Sequence, residues 1–212
     1  VDVLIYIPVV ANSRDACPMF LGLNFMGNHT ITNDPQVPVT KSWVRNRAEI
    51  GYENNQASAA ARGTSAHRWP IRLLIDSGFG VATAYYGDID PDFDDGFKNG
   101  VHSIYPKVDD PTGQQWGSIA TWSWGLSRIL DYLQTLKSVN SKQIGVIGHS
   151  RLGKTSLWAG ATDPRFALVI SNESGCGGAA LSRRQFGETV QRINTSFPHW
   201  FCDKFQEYNA NE

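Results

Sequence analysis

The chain has 212 residues, of which 41% are hydrophobic, and its 19 lysine and arginine residues nearly balance 20 aspartate and glutamate residues, for a net charge of −1. A chain of this length suits one buried core, so we expect residues 1–212 to form a single domain. The near-neutral charge without a basic run excludes nucleic acid and anionic membranes as expected partners, and no apolar stretch reaches the roughly 18 residues of a spanning helix.

Two apolar runs near the N-terminus predict the first strands of a sheet. They are VDVLIYIPVV at residues 1–10 and MFLGLNFMG at residues 19–27. The first run has neither an initiator methionine nor a charged leader, which indicates a processed start. The second run ends in a Gly and Asn turn, the kind of turn that carries oxyanion-hole amides in α/β-hydrolases.

The middle of the chain predicts a long connection, a strand and a helix. Residues 28–65 are rich in Asn, Thr, Ala and charge, which favours a functional or mobile excursion with partial helix. Residues 79–87, FGVATAYYG, have the continuous apolar character of a buried strand. Apolar residues at three- and four-residue intervals then predict a helix from about Gly117 to Lys137.

An acidic segment, GDIDPDFDDGF at residues 87–97, follows the third predicted strand. Asp90, Asp92 and Asp94 occupy alternate positions, as they do in a calcium-binding loop. The glycine of that motif comes one place late, and Val101 stands where a bidentate glutamate belongs. The segment therefore predicts a solvated loop and not a calcium site.

Two more buried strands are predicted in the second half of the chain. They are KQIGVIG at residues 142–148 and FALVISN at residues 166–172, with a helix beginning just after Ser150. Strands that alternate with helices predict an α/β protein with a central, mostly parallel sheet and flanking helices.

The sequence GHSRLGKTS, between these strands, fits two chemistries. Gly148, Gly153, Lys154 and Thr155 complete the pattern G-x-x-x-x-G-K-[ST], whose backbone amides cradle nucleotide phosphates. Ser150, between an apolar strand and a helix, equally suits the nucleophile of an α/β-hydrolase, although the second glycine of the usual G-x-S-x-G comes one place late. These residues alone leave the two interpretations nearly even.

Glu173 supports the hydrolase interpretation, because it follows the last predicted strand shortly after Ser150. The triad of an α/β-hydrolase runs serine, acid, histidine along the chain, so Glu173 is placed to orient a histidine. A nucleotide hydrolase needs an acid for magnesium at a strand end, and here Asn172 precedes Glu173 where an aspartate is more usual.

The histidines and cysteines show no spacing typical of a metal site, so we expect no bound metal. Three cysteines permit at most one internal disulfide. These residues are His29, His67, His102, His149 and His199, with Cys17, Cys176 and Cys202.

Long segments of the chain resemble the bacterial glucuronoyl esterases, carbohydrate esterase family 15. They are LGLNFMGNHT, RGTSAHRWPIRLLIDSGFGVATAYYGDIDPDFDDGF and the run from GHSRLGKTS to TSFPHWFC. The family motif G-x-S-R-x-G is matched by Gly148, Ser150, Arg151 and Gly153, which accounts for the late glycine. The resemblance therefore implies that the match to a phosphate loop is fortuitous.

This resemblance implies an α/β-hydrolase that cleaves, without a cofactor, the ester between 4-O-methyl-glucuronic acid of xylan and a lignin alcohol. It implies that Ser150 attacks the carbonyl, that Arg151 stabilises the oxyanion together with backbone amides, and that Glu173 orients the histidine. Lys154 and Glu188 match positions that bind sugar hydroxyls. The expected substrate is a glucuronoxylan–lignin ester or a small uronate ester.

The same resemblance implies a bacterial enzyme that is secreted or periplasmic and acts as a monomer. Two alternatives remain open. One is a nucleotide-binding domain built on residues 148–155, and the other is an inactive, carbohydrate-binding relative of the esterases.

The family's triad histidine lies far beyond the serine, and this sequence ends at Glu212. His199 is the only histidine after Glu173, and its segment does not match the family's catalytic segment. We therefore expect that no histidine of this chain bonds to both Ser150 and Glu173. The C-terminal portion of the domain is then missing, and the base comes from that segment or from a separate chain.

Overall fold

Five strands form one sheet in the computed structural model, which describes residues 1–9, 16–105, 110–182 and 187–210. The strands are β1 (Val3–Tyr6), β2 (Cys17–Asn24), β3 (Gly80–Tyr85), β4 (Val139–His149) and β5 (Leu168–Asn172). Their order is β1-β3-β2-β4-β5, with β1 antiparallel to β3 and every other pair parallel. The predicted mostly parallel sheet is confirmed.

Four α-helices accompany the sheet in the described residues: α1 (Ile71–Asp76), α2 (Ser118–Leu133), α3 (Arg151–Thr162) and α4 (Val190–Ser196). Helix α2 fulfils the prediction from periodicity, and the face that it buries includes Trp122 and Leu130, each 0% exposed. Helix α3 begins directly after Ser150, as predicted. Helix α1 was not predicted, since it has only six residues and none of them is buried.

The connection at residues 28–65 contains no α-helix. Its helical content is three 3-10 turns, Asn28–Thr30, Ala48–Ile50 and Ala59–Ala61. The segment nevertheless packs through Tyr52, which is 0% exposed and donates its hydroxyl to the Met26 carbonyl at 2.5 Å. This connection has no amphipathic period, so individual buried residues such as Tyr52 hold it against the core, and no helix face does so.

Burial differs between the inner and outer strands. All six residues of β3 are buried, whereas β5 lies at one edge of the sheet and Leu168 is 49% exposed. Residues 166–172 thus contain a strand as predicted, but the prediction that this strand is buried is wrong. Among the described strands only β4 pairs with β5, so β5 lies at the edge of the sheet. An apolar run indicates a strand but does not locate it within the sheet.

The carboxyl ends of the parallel strands meet at one edge of the sheet. This edge carries Asn24, Tyr85, His149 and Asn172, the last residues of β2, β3, β4 and β5. Ligands of open α/β sheets bind outside this edge. The strand-to-helix turn at Ser150 is located there.

None of the helices in the described ranges has the length and apolar composition needed to cross a lipid bilayer. Likewise, no group of three or more His, Cys, Asp or Glu side chains in those ranges converges as metal ligands do, and no disulfide joins Cys17, Cys176 and Cys202.

Candidate active site

Ser150 is the only residue between the end of β4 and the start of α3. Its backbone has φ 56° and ψ −125°, a positive φ that side-chain-bearing residues rarely adopt. The Ser150 amide donates to the carbonyl of Asn172 at 3.0 Å, which ties the turn to the end of β5. A serine held in such a strained strand-to-helix turn is how α/β-hydrolases expose a nucleophile.

The two glycines of the motif allow this turn because neither position has room for a side chain. A Cβ on Gly148 would collide with the backbone of Leu152 in the first turn of α3. A Cβ on Gly153 would lie 2.9 Å from the carbonyl oxygen of Asn172. The late second glycine thus allows α3 to approach the end of β5, which explains the spacing G-x-S-R-x-G in steric terms.

The structure does not support the phosphate-loop alternative. A phosphate loop wraps its backbone around the anion before its helix begins. Here Gly153, Lys154 and Thr155 lie inside α3, and the Thr155 hydroxyl is already bonded to the carbonyl of Arg151 at 3.0 Å. Only Ser150 separates strand from helix, so the chain has no loop with which to enclose a phosphate.

Arg151 is fixed in place by a buried carboxylate and an aromatic ring. Its Nη1 donates to Oδ2 of Asp92, and its Cζ lies 4.8 Å from the centroid of the Trp200 ring. Its Nε is buried and has no hydrogen-bond partner among the described residues. Arg151 and Ser150 line the same cavity.

Asp92 anchors four side chains at once. Besides Arg151, it accepts hydrogen bonds from the Tyr86 hydroxyl at 2.9 Å, from His199 Nε2 at 3.0 Å and from Trp200 Nε1 at 2.8 Å. Burial alone would raise the pKa of the Asp92 carboxyl, but the hydrogen bond from His199 and the charge of Arg151 outweigh it and hold this pKa well below the usual range. Asp92 is thus ionised and fully paired inside the protein.

The prediction that residues 87–97 form a solvated loop is therefore wrong for two of the aspartates in this segment. Asp90 and Asp92 are 3% and 1% exposed, whereas Asp94 is exposed. Asp90 pairs with Nδ1 of His102 at 2.9 Å. Sequence reasoning missed Asp92 because its partners His199 and Trp200 follow 107 and 108 residues later.

Glu173 directly follows β5, with a φ of 45° and a side chain that is 77% exposed. Its Oε2 lies 4.0 Å from Nδ1 of His149, the residue that precedes Ser150. His199 is bonded to Asp92 instead. Among the described residues, no histidine is hydrogen-bonded to both Ser150 and Glu173, so the source of the base stays a prediction.

Lys154 and Glu188, the residues expected to bind sugar hydroxyls, lie side by side. The Nζ of Lys154 is 3.8 Å from Oε2 of Glu188 and 5.6 Å from the centroid of the Trp200 ring. Burial lowers the pKa of Lys154, and the charge of Glu188 opposes that effect. The pair therefore offers a cationic donor and a carboxylate acceptor next to an aromatic ring.

A cavity of about 570 Å³ opens beside Ser150 and Arg151. Phe25 and Met26, from the turn after β2, form part of its wall. The turn is held by a hydrogen bond from the amide of Gly27 to Oδ1 of Asn24 at 2.8 Å. The turn predicted to carry an oxyanion-hole amide thus faces the same cavity as the serine.

Comparison with known sequences relates this chain to esterases. Residues 80–212 match a family model described as glucuronyl esterase, fungi. The chain is similar to a carbohydrate esterase from an unknown prokaryotic organism, with 57% identity over 100% of this chain and 49% of that protein. It is also similar to 4-O-methyl-glucuronoyl methylesterase 1 of Phanerochaete chrysosporium, with 32% identity over 69% of this chain and 34% of that protein.

Solved structures of related proteins have the same fold. A promiscuous family 15 carbohydrate esterase from a marine bacterial metagenome superposes with a TM-score of 0.88 at 55% identity, over 99% of this chain and 52% of that one. A glucuronoyl esterase from Solibacter usitatus gives a TM-score of 0.87 at 43% identity over the same shares. These comparisons confirm the predicted α/β-hydrolase fold. The chain spans about half or less of the length of these relatives.

Proposed function

Because the chain belongs to the glucuronyl esterase family, carbohydrate esterase family 15, we propose that it carries the nucleophile and part of the substrate site of a serine esterase. The proposed reaction is hydrolysis of the ester between 4-O-methyl-glucuronic acid of xylan and an alcohol of lignin. The observation that carries this proposal is the conformation of Ser150, a strained turn that a nucleophile requires and that a nucleotide site does not.

The proposed mechanism begins with attack of Ser150 Oγ on the ester carbonyl while a base removes the hydroxyl proton. Negative charge then develops on the carbonyl oxygen. The unpartnered Nε–H of Arg151, together with backbone amides, is the donor proposed to stabilise that charge. The base then returns that proton to the departing alcohol, which leaves an acyl-enzyme. Water, deprotonated by the same base, hydrolyses the acyl-enzyme, which releases the uronic acid and restores the Ser150 hydroxyl.

The proposed base is a histidine oriented by Glu173 and located outside residues 1–212. Support comes from two histidines: Nδ1 of His149 lies 4.0 Å from Oε2 of Glu173, and Nε2 of His199 is bonded to Asp92. The exposed carboxylate of Glu173 is open to such a partner. Activity tests below therefore use the native protein.

Hydrolysis of benzyl glucuronate compared with simple acetyl esters tests the proposed function. We expect turnover of the uronate ester without added metal or nucleotide, together with a preference for it over the acetyl esters. Binding of the uronate without turnover would contradict the proposal, as would magnesium-dependent ATP binding measured by calorimetry in the absence of esterase activity.

Arg151→Ala is expected to lower kcat by about 10²- to 10³-fold, the effect of removing one oxyanion donor. Since alanine also leaves Asp92 without its cation, Arg151→Lys is the matched variant. Lysine keeps a positive charge near Asp92 but lacks the Nε–H group, so it should retain more stability and still lose kcat. Steady-state kinetics and thermal unfolding of both variants separate the two effects. Wild-type kcat in Arg151→Lys would show that the Nε–H group is not the required oxyanion donor.

Lys154→Ala is expected chiefly to raise KM for uronate esters, because contacts to sugar hydroxyls exist in both the ground and transition states. Kinetics with benzyl glucuronate and with a small acetyl ester measure the effect, and the acetyl ester serves as the internal control. If kcat fell instead while KM stayed constant, Lys154 would act on the reacting atoms and not on the sugar.

We also propose that the protein is bacterial, that it is secreted or periplasmic, and that it acts as a monomer. The extracellular location rests on the substrate class, since plant cell-wall xylan is found outside bacterial cells.

A further inference from the structure

The cavity beside Ser150 has a cationic wall that the proposed sugar contacts do not use. Arg47, His67 and Arg68 line it, and all three come from the connection between β2 and β3. Glu49 is the carboxylate on this wall among the described residues, and it lies 3.7 Å from Arg47. The guanidinium of Arg68 forms no ion pair with any residue that the structure describes. The wall therefore has excess positive charge.

Lys154 lies in a separate hollow, whose wall includes Trp200. Neither Lys154 nor Glu188 lines the cavity beside Ser150. The proposed function places the uronate next to these two side chains, with the ester carbonyl at Ser150. An ester held in this way directs its alcohol into the space that Ser150 lines, which is the cavity with the cationic wall.

We propose that this cavity binds the alcohol half of the ester and selects alcohols that carry both an aromatic ring and a carboxylate. This inference rests on the proposed function for its assignment of the two halves of the substrate. Arg68 pairs with the carboxylate, because a guanidinium offers a planar fork of donors that matches carboxylate geometry. Phe25 and Trp69, on the same wall, supply apolar faces for the ring.

The size and openness of the site determine how large its selectivity is. A volume of about 570 Å³ lies within the range of pockets that hold one small organic molecule. Arg68 is exposed at the rim, so solvent screens its pairing with a carboxylate. A single ion pair of this kind changes affinity by about two- to fivefold. The predicted selectivity is therefore moderate and sensitive to salt.

Two esters of the same glucuronate test the proposal in the native protein, one with benzyl alcohol and one with 4-carboxybenzyl alcohol. The measured quantity is the ratio of kcat/KM for the anionic ester to that for the neutral ester. Arg68→Gln should lower this ratio by about two- to fivefold, and Glu49→Gln should raise it, because that change removes a like charge and frees Arg47. The control is Arg72→Gln, an exposed arginine of α1 that pairs with Asp76.

An unchanged ratio in Arg68→Gln would overturn the proposal, and so would an equal fall in Arg72→Gln, which would indicate a general effect of net charge. Calorimetry with free 4-carboxybenzyl alcohol separates this site from the proposed reaction. If neither ester is hydrolysed but the alcohol binds more weakly to Arg68→Gln, the site stands and the esterase proposal fails. If both esters are hydrolysed and the alcohol binds equally to both proteins, the reaction stands and the site fails.

Discussion

Ser150→Ala is expected to lower kcat for benzyl glucuronate on the order of 10⁶-fold, because alanine cannot form the acyl-enzyme. Binding of the uronate product should change little, since the Ser150 hydroxyl is needed for covalent chemistry and contributes little to sugar recognition. Steady-state kinetics give the loss of turnover, and calorimetry with glucuronate gives the affinity. The expected pattern is a variant that binds but does not turn over.

Ser156→Ala is the matched control for this experiment. Ser156 is a buried serine of α3, and its hydroxyl donates to the carbonyl of Leu152 at 2.9 Å. Its loss removes a hydrogen bond of ordinary strength without touching the proposed nucleophile, so kcat should stay near that of the unmodified protein. Equal losses of binding and rate in Ser150→Ala would identify Ser150 as a recognition residue and refute its role as nucleophile.

Asp92→Ala is expected to destabilise the protein by about 3 kcal/mol, near the lower end of the range for breaking a buried ion pair. The change leaves the Arg151 guanidinium beside Trp200 without its counter-ion, and it deprives Tyr86 and His199 of their acceptor. The lower end applies because the Arg151 side chain is 22% exposed and can still reach water. Denaturant unfolding measures the difference in the free energy of unfolding.

Asp94→Ala is the control for Asp92→Ala, since Asp94 is an exposed acid in the same loop. It should change the free energy of unfolding by no more than about 0.5 kcal/mol. Comparable losses in the two variants would mean that the loop and not the buried carboxylate is responsible.

The pH dependence of stability provides a second measurement on Asp92. Its pKa is lower in the folded state than in the unfolded state, so its contribution is fully present above the unfolded pKa of about 4 and is lost as pH falls below that value. Asp92→Asn keeps the side-chain volume but cannot titrate. It should therefore lose less stability than the unmodified protein between about pH 5 and pH 3. Equal acid sensitivity of the two proteins would show that Asp92 is not the titrating group.

Local patterns determined the five strands, helices α2 and α3 and the position of the nucleophile. Each of the five strands contains an apolar run, and α2 repeats its apolar residues with a helical period. Both signals arise because side chains three or four apart in a helix, or consecutive in a buried strand, face the same surroundings. The motif around Ser150 is also local, because Gly148 and Gly153 act through backbone contacts within a strand, a turn and a helix.

Long-range packing decided the rest of the site. Residues 87–97 have the composition of a solvated loop. Only the packing of His199 and Trp200 against Asp92 shows that this carboxylate is buried and anchors Arg151. The choice between a phosphate loop and a nucleophile turn likewise depended on where α3 begins. The sequence GHSRLGKTS matches both patterns, but a helix that starts at Arg151 leaves no loop that could enclose a phosphate. Burial, charge pairing and the shape of the cavity beside Ser150 depend on contacts between segments distant in sequence, so they were decided only in the folded protein.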